Sequence, residues 1–200
     1  MNASLIAIYM KVDATLDLGL LEGLVRGGGF RLQNPQSGMI TLIDDEGELC
    51  VIDRGTLVAR VSERKDIRVQ FWESRRGDKC PRDLYCRVLF RSEAVVIELG
   101  ELPGDSDALL RGMWTLCRAK LDHGEIIGLV VDLRGVTEEY ADWDAFFLHG
   151  AGYDGPCPDV LCVRKEQEQL VPKTCVHHCR DSRVQHITVI NKESARSLIE

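Results

Sequence analysis

Residues 39–52, MITLIDDEGELCVI, contain the pattern that decides the fold. Two short runs rich in isoleucine, leucine and valine flank an acidic turn, and such runs are typical of β-strands. Four more segments of this kind follow, at residues 56–62, 67–73, 84–90 and 94–102. Most of the connections are short, whereas a parallel crossover needs about a dozen residues or more. We therefore expect neighbouring strands to run antiparallel.

Apolar residues at helical spacing predict three helices, within residues 13–29, 103–124 and 136–150. Residues 4–12 and 125–133 are apolar enough to form buried core strands. The sequence thus predicts an α+β fold, in which a large twisted antiparallel sheet of about seven or eight strands carries two or three helices on one face. We expect this domain to span residues 1–150. Residues 151–200, richer in loop-forming residues, are expected to form a C-terminal extension.

The N-terminal apolar run SLIAIYMKV is too short to span a membrane and lacks the basic leader of an export signal. We therefore expect no membrane association. The chain also contains eight cysteines. Without an export signal, these are expected to be reduced thiols in the cytoplasm.

The net charge is −7, and the acidic groups are unevenly distributed. Residues 135–163 contain six acidic residues and no lysine or arginine: Glu138, Glu139, Asp142, Asp144, Asp154 and Asp159. An acidic surface repels phosphate backbones, so nucleic acid is not expected as a partner. The same surface attracts a basic protein, although acidic surfaces also occur simply for solubility.

Aromatic side chains among these acids would supply contact energy to a partner. Tyr140 and Trp143 have the spacing of core residues, so Tyr153 is the one expected to be exposed. Trp72 lies on the polar face of the strand at residues 67–73, where it could contact a partner or be covered by a helix. The predicted partner-binding residues are Glu138, Glu139, Asp142, Asp144, Tyr153, Asp154 and Trp72.

The C-terminal region is dense in soft metal ligands. Its cysteines follow the pattern C-x4-C-x12-C-x3-C, and two histidines lie inside the last pair. The candidate ligands are Cys157, Cys162, Cys175, His177, His178 and Cys179. Zinc prefers tetrahedral sulfur and nitrogen ligation, and it would stabilise a segment with few apolar residues. Unligated thiols and a disulfide are the alternatives.

No catalytic motif occurs: the chain has no phosphate-binding loop, nucleophile elbow or metalloprotease signature. The expected function is that of an acidic cytoplasmic binding module, of the inhibitor, immunity or adaptor type, which recognises a basic macromolecular partner. The alternative is a hydrolytic enzyme, metal-assisted or not, with its site near the C-terminal cysteines and histidines.

Overall fold

The computed structural model describes residues 4–73, 82–100, 102, 107–137, 141–171, 175, 179–181 and 186–190. For the last two ranges the description covers the backbone. The statements below concern these residues.

The strands are, in chain order, β1 Leu5–Lys11, β2 Phe30–Arg31, β3 Ile40–Ile43, β4 Leu49–Ile52, β5 Ile67–Glu73, β6 Asp83–Phe90, β7 Ala94–Gly100, β8 Ile126–Asp132, β9 Val160–Arg164, β10 Cys179–Asp181 and β11 His186–Ile190. The helices are α1 Leu18–Arg26, α2 Arg54–Ser62, α3 Asp107–Asp122 and α4 Trp143–His149, and a 3₁₀ helix spans Lys165–Leu170. Within these ranges, no helix combines the length and apolar character needed to cross a membrane.

All of the strands belong to one sheet, in the order β10-β11-β9-β8-β1-β7-β6-β5-β3-β4, and β2 pairs with β5. Every strand pair in the described part of the chain is antiparallel. This confirms the predicted α+β class with a large antiparallel sheet. The sheet is wider than expected because β9, β10 and β11, from the predicted extension, join its edge beside β8.

The prediction of a strand at residues 56–62 is wrong, because this segment forms helix α2. Asp53 caps the helix, since its carboxylate accepts a hydrogen bond from the Thr56 backbone N–H at 2.7 Å. Leu57 and Val61, four residues apart, are the buried residues of the helix. The β-branched residues favoured a strand locally, but the cap and the four-residue apolar spacing determine the outcome.

Helices α1, α2 and α3 pack on one face of the sheet, which we call the first face. Their apolar residues share one core with inward-pointing side chains such as Ile8, Val69 and Ile97. Helices α1 and α3 approach closely at Gly27 and Gly112, where a Cβ added to either glycine would lie 2.8 Å from the Cα of the other. Of the three predicted helices, α1 and α3 lie together on this face as expected, and α2, which was predicted as a strand, joins them there.

The opposite, second face has its own core beneath α4. Phe146, Phe147 and Trp143 of α4 are buried there against β1, β8 and β9. Phe147 packs against Gly128 of β8, where a Cβ would collide with its ring. Helix α4 begins after Asp142, later than the sequence predicted, and it lies on a face where no helix was expected.

The expected domain boundary at residue 150 does not coincide with a break in the sheet. Strand β9 pairs with β8 in the register Val130↔Leu161. Tyr153 and Val171 are buried in the same second-face core as α4. Residues 153–171 therefore complete the core of the preceding domain.

Candidate functional site

The second face of the sheet has two unlike halves. The covered half consists of β9, β8 and β1, together with Ala94 and Val96 of β7 and Leu89 at the end of β6, which share one core with the buried aromatic residues of α4. The open half consists of β6, β5, β3 and β4, on which no helix packs within the described part of the chain. A cleft of about 620 Å³ lies at the boundary between the two halves.

The floor of the cleft is built by β1, β7 and β6, and its wall is formed by Asp132, Thr137 and residues 141–144. Directly opposite residues of antiparallel strands point to the same face. The register Ala7↔Glu98↔Arg87 therefore places three side chains in one row across the floor. The next row contains Gly100 and Tyr85.

Four carboxylates and one guanidinium line the cleft. These charged residues are Glu98, Asp132, Asp142, Asp144 and Arg87. Two of the acids have clear structural roles. Asp132 accepts hydrogen bonds from the Thr137 backbone N–H and hydroxyl, both at 2.7 Å, which fixes the chain after β8. Asp142 accepts from the Ala145 backbone N–H at 2.9 Å and so caps α4.

Asp144 joins the wall of the cleft to its floor. The Tyr9 hydroxyl donates to Asp144 Oδ1 at 2.7 Å, and Arg91 Nε donates to Asp144 Oδ2 at 3.3 Å. Burial raises the pKa of Tyr9 far above its ordinary value, and its bond to Asp144 adds to this shift. The phenol therefore stays protonated and holds the carboxylate in place.

Glu98 is the cleft carboxylate with a perturbed acidity. Burial raises the pKa of Glu98, and the nearby Asp144 adds to this, although Arg87 and Arg91 act in the opposite direction. Arg87 Nη1 lies 3.1 Å from Glu98 Oε2. The two arginines therefore do not fully compensate the cost of burying this charge.

Gly100 leaves open space on the floor of the cleft. A Cβ added there would have no heavy atom within 4 Å. Because the residue lies in a regular strand between Leu5 and Tyr85, a larger side chain would project into the cleft without a backbone clash. The position is thus a natural place to fill the cleft by substitution.

A polar row continues from the cleft across the open half. Gln70 lies opposite Tyr85, and its side-chain amide donates to Asp83 Oδ2 at 2.5 Å. Trp72 lies two residues further along β5 and is partly buried. Its indole N–H and the Gln70 side-chain oxygen are both buried, and neither has a hydrogen-bond partner among the described residues. Tyr85 and Trp72 thus add partly exposed aromatic surface beside the cleft.

Of the predicted partner-binding residues, the structure brings Asp142 and Asp144 together at the cleft. Glu138 and Glu139 lie outside the described residues. Asp154 is exposed but is not part of the cleft.

The expectation that Tyr153 is exposed is wrong. Its exposed fraction is 7%. Its ring packs against Trp143 with a centroid distance of 4.8 Å, and its hydroxyl donates to the Pro156 carbonyl at 2.6 Å. Tyr153 is buried because the loop after α4 folds back over the helix, which the sequence pattern did not indicate.

Arginines from elsewhere in the chain pair with two acids of the stretch 135–163. Arg91 binds Asp144, and Arg134 Nε lies 3.1 Å from Asp159 Oδ1. Asp159 is fully buried and also accepts from the Leu133 backbone N–H at 2.8 Å. Among the described residues of this stretch, the acids therefore do not form one continuous landing surface, and the accessible ones lie at the cleft and at Asp154.

The structure separates the candidate zinc ligands. Cys162 faces the first-face core, whereas Cys157 and Cys175 belong to the second-face core. A hydrogen bond with Cys175, together with burial, raises the pKa of the Cys157 thiol far above its usual range. His177, His178 and the Cys179 side chain lie outside the described residues. Among the residues that were described, no group of three or more acidic, histidine or cysteine side chains is close enough to hold a metal ion.

Sequence reasoning missed Tyr9, Tyr85, Arg87, Glu98 and Gly100, which form most of the cleft floor. One signal was present, because Glu98 interrupts the apolar strand AVVIELG. A charged residue inside a buried strand commonly marks a functional position.

A comparison with known protein families finds no family model that matches the chain, and no curated protein matches it either. The cleft and the open half of the sheet are therefore the basis for a functional assignment.

Proposed function

We propose that the protein is an acidic cytoplasmic binding module, of the inhibitor, immunity or adaptor type, which accepts a lysine or arginine side chain of a basic protein partner in the cleft. The observation that carries the proposal is the cleft lining, in which four carboxylates accompany a single arginine. The cleft volume of about 620 Å³ also lies within the roughly 300–1,000 Å³ typical of binding sites.

Glu98 gives the cleft a specific preference for a cation. Its raised pKa means that the ionised carboxylate is under-stabilised by its surroundings. A positively charged side chain placed beside it would lower that pKa and restore the missing interaction. An anionic ligand would instead face Glu98, Asp142 and Asp144 together, so it is disfavoured.

The surroundings of the cleft favour a protein partner over a free small molecule. Partly exposed Tyr85 and Trp72 continue the surface beyond the cleft, together with exposed Leu49 and Val51 at the sheet edge. Protein interfaces characteristically combine such aromatic and apolar contacts with a few charged anchors. The negative charge of the whole chain would steer a basic partner toward this side during encounter.

Binding through Glu98 carries a definite pH dependence. The groups that face Glu98 are Arg87, Arg91, Asp144 and the Tyr9 phenol. Since its pKa is raised, part of the Glu98 population is protonated above the ordinary value of 4.5, and a cation binds the ionised form. Affinity should therefore increase as pH rises through the raised pKa, with release of a proton on binding.

Selection of a displayed random-peptide library against the full chain tests the proposal. We expect the selected peptides to have lysine or arginine at one fixed position. Gly100→Val, which fills the cleft, and Glu98→Gln, which removes its charge, should each weaken binding about tenfold or more. Asp154→Asn is the matched control, because it also removes one carboxylate charge, from an exposed residue outside the cleft.

Two results would contradict the proposal. One is the selection of peptides without a basic residue. The other is an equal loss of affinity in Asp154→Asn and Glu98→Gln, because general surface charge rather than the cleft would then account for binding. Folding of each variant is checked by thermal unfolding, and Gly100→Val is expected to fold because its side chain enters open space.

The alternative is a hydrolytic site at the C-terminal cysteines. The described residues there give little support for a nucleophile. The raised pKa of the Cys157 thiol disfavours the thiolate that a nucleophile needs.

A structural zinc ion is a separate proposal, supported by the neighbouring Cys157 and Cys175 thiols and by their spacing from Cys179. Metal analysis of the purified chain is expected to give stoichiometric zinc, which is lost in Cys175→Ser and retained in Cys117→Ser. Cys117 is the control because it is buried in the first-face core. Zinc-free wild-type protein, purified without chelator, would contradict the proposal.

A further inference from the structure

Strand β4 ends the open half of the sheet and presents apolar side chains to solvent. Within the described part of the chain, β4 pairs only with β3. Leu49 and Val51 have exposed fractions of 60% and 62%. The strand Leu49–Ile52 contains no charged residue, proline or glycine, which are common means of protecting a sheet edge.

The hydrogen-bond pattern of the β3–β4 hairpin shows which backbone groups face outward. The Asp44 N–H donates to the Glu48 carbonyl at 3.0 Å, and the register continues as Leu42↔Cys50 and Ile40↔Ile52. Hydrogen-bonded and non-hydrogen-bonded pairs alternate in antiparallel strands. Leu49 and Val51 therefore direct their N–H and C=O groups away from β3, toward the free edge.

The same two residues thus combine unpaired backbone groups with exposed apolar side chains. That combination is what an added β-strand uses, since main-chain bonds supply affinity and alternate side chains supply specificity. The turn beside this edge is strongly acidic. Asp45, Glu46 and Glu48 are exposed, and none of them forms an ion pair with another described residue.

We propose that β4 is a docking edge for an extended segment of a basic partner protein, which adds an antiparallel strand beside Leu49–Ile52. Antiparallel addition places the end of the incoming strand beside Glu48 and the acidic turn. The segment should therefore alternate apolar and polar residues and then continue into lysine or arginine. This charge complementarity favours a basic partner over a second copy of the chain, whose own acidic turn and net charge of −7 would oppose pairing.

A synthetic peptide tests this edge directly. The probe is a short peptide in which valine and threonine alternate before a pair of lysines. The comparison peptides replace the lysines with glutamates or carry N-methyl groups on alternate residues. We expect the lysine peptide to slow exchange of the Leu49 and Val51 amide hydrogens about tenfold or more. The Cys50 and Ile52 amides, already paired with β3, should change less.

Two variants separate the edge from the rest of the surface. Val51→Pro removes an outward N–H without removing a bond to β3, and Leu49→Lys places a positive charge on the docking face. Both should weaken lysine-peptide binding about tenfold or more. Val58→Lys is the control, because Val58 is an exposed apolar residue on α2 rather than on the edge.

Several outcomes would overturn the proposal. These are equal binding of the lysine and glutamate peptides, undiminished binding of the N-methylated peptide, and binding that leaves the Leu49 and Val51 amides unchanged. A dimer in sedimentation velocity that Leu49→Lys dissociates would assign the edge to a second copy of the chain. Because this edge is separate from the cleft, Gly100→Val should leave peptide binding at β4 intact whether or not the cleft binds a basic side chain.

Discussion

The covered and open halves of the second face are formed by strands of one sheet, yet their side chains differ sharply. In the covered half, Tyr9 and Phe147 pack with ring centroids 4.5 Å apart. In the open half, the equivalent positions hold polar side chains: the Gln70 amide lies 3.4 Å from the Tyr85 hydroxyl, and Arg87 pairs with Glu98. The first half therefore contributes an apolar core to the fold, whereas the second half carries the polar groups on which the proposed recognition depends.

The boundary between the halves is where the cleft forms. Helix α4 is short, and the core beneath it reaches Ala94 and Val96 of β7 but not Glu98 or Gly100, so its capped first turn forms a wall of the cleft beside these two residues. The bonds from Tyr9 and Arg91 to Asp144 hold that wall against the floor. A packed half thus fixes the geometry of the acidic site beside it.

The largest loss of stability should come from truncating an aromatic side chain in the core of the covered half. Phe147→Ala is expected to lower the free energy of unfolding by about 3–5 kcal/mol, because it leaves a cavity beneath α4. Tyr85→Ala, in the open half, should cost less than about 1 kcal/mol. Urea unfolding of both variants measures the contrast, and similar losses would show that the two halves do not differ as described.

Two glycines provide a smaller and more local comparison. Gly128→Ala, in the covered half, should destabilise by about 1–3 kcal/mol, because the new methyl group meets the Phe147 ring. Gly100→Ala, on the floor of the cleft, should be neutral or stabilise by about 0.4–1 kcal/mol, because it restricts the unfolded chain and its methyl group meets no atom within 4 Å. Thermal unfolding of the pair tests this, and the reverse order of stabilities would contradict the close approach of Phe147.

The smallest expected change in stability is the contribution of Glu98 to the pH dependence of the free energy of unfolding. Glu98 has a raised pKa in the folded state, so the folded chain binds more protons than the unfolded chain above the ordinary value of 4.5. Its contribution to stability is therefore greatest at low pH and decreases as pH rises through the raised pKa. Glu98→Gln should lack this decrease. A wild-type profile parallel to that of Glu98→Gln would show that Glu98 has no raised pKa.

The sequence predicted the parts of the fold that have clear local periodicity. Helices α1 and α3 and the hairpin of β3 and β4 follow from apolar spacing and turn residues. Helix α2 was missed because its β-branched residues favour a strand when the Asp53 cap is overlooked. Local patterns also gave no sign that the chain after α4 folds back and buries Tyr153.

Most of the residues that line the cleft could not be predicted from the sequence, and the reason is physical. It depends on the register that places Ala7 of β1 beside Glu98 of β7, two strands far apart in the chain, although the pairing of Glu98 with Arg87 lies within one hairpin. Asp142 and Asp144 could be predicted because they lie close together in an acidic segment. Tyr9 and Arg91, the partners of Asp144, could not be predicted, because only the folded sheet and α4 bring these residues together.

The most direct test of the central assignment is an amide chemical-shift map of the isotope-labelled full chain, titrated with a basic peptide selected against it. If the cleft is the recognition site, the largest shifts should fall on Tyr9, Tyr85 and Glu98 and on the start of α4 at Asp142. Shifts confined to residues 151–157 around Asp154, with the cleft amides unmoved, would contradict the assignment.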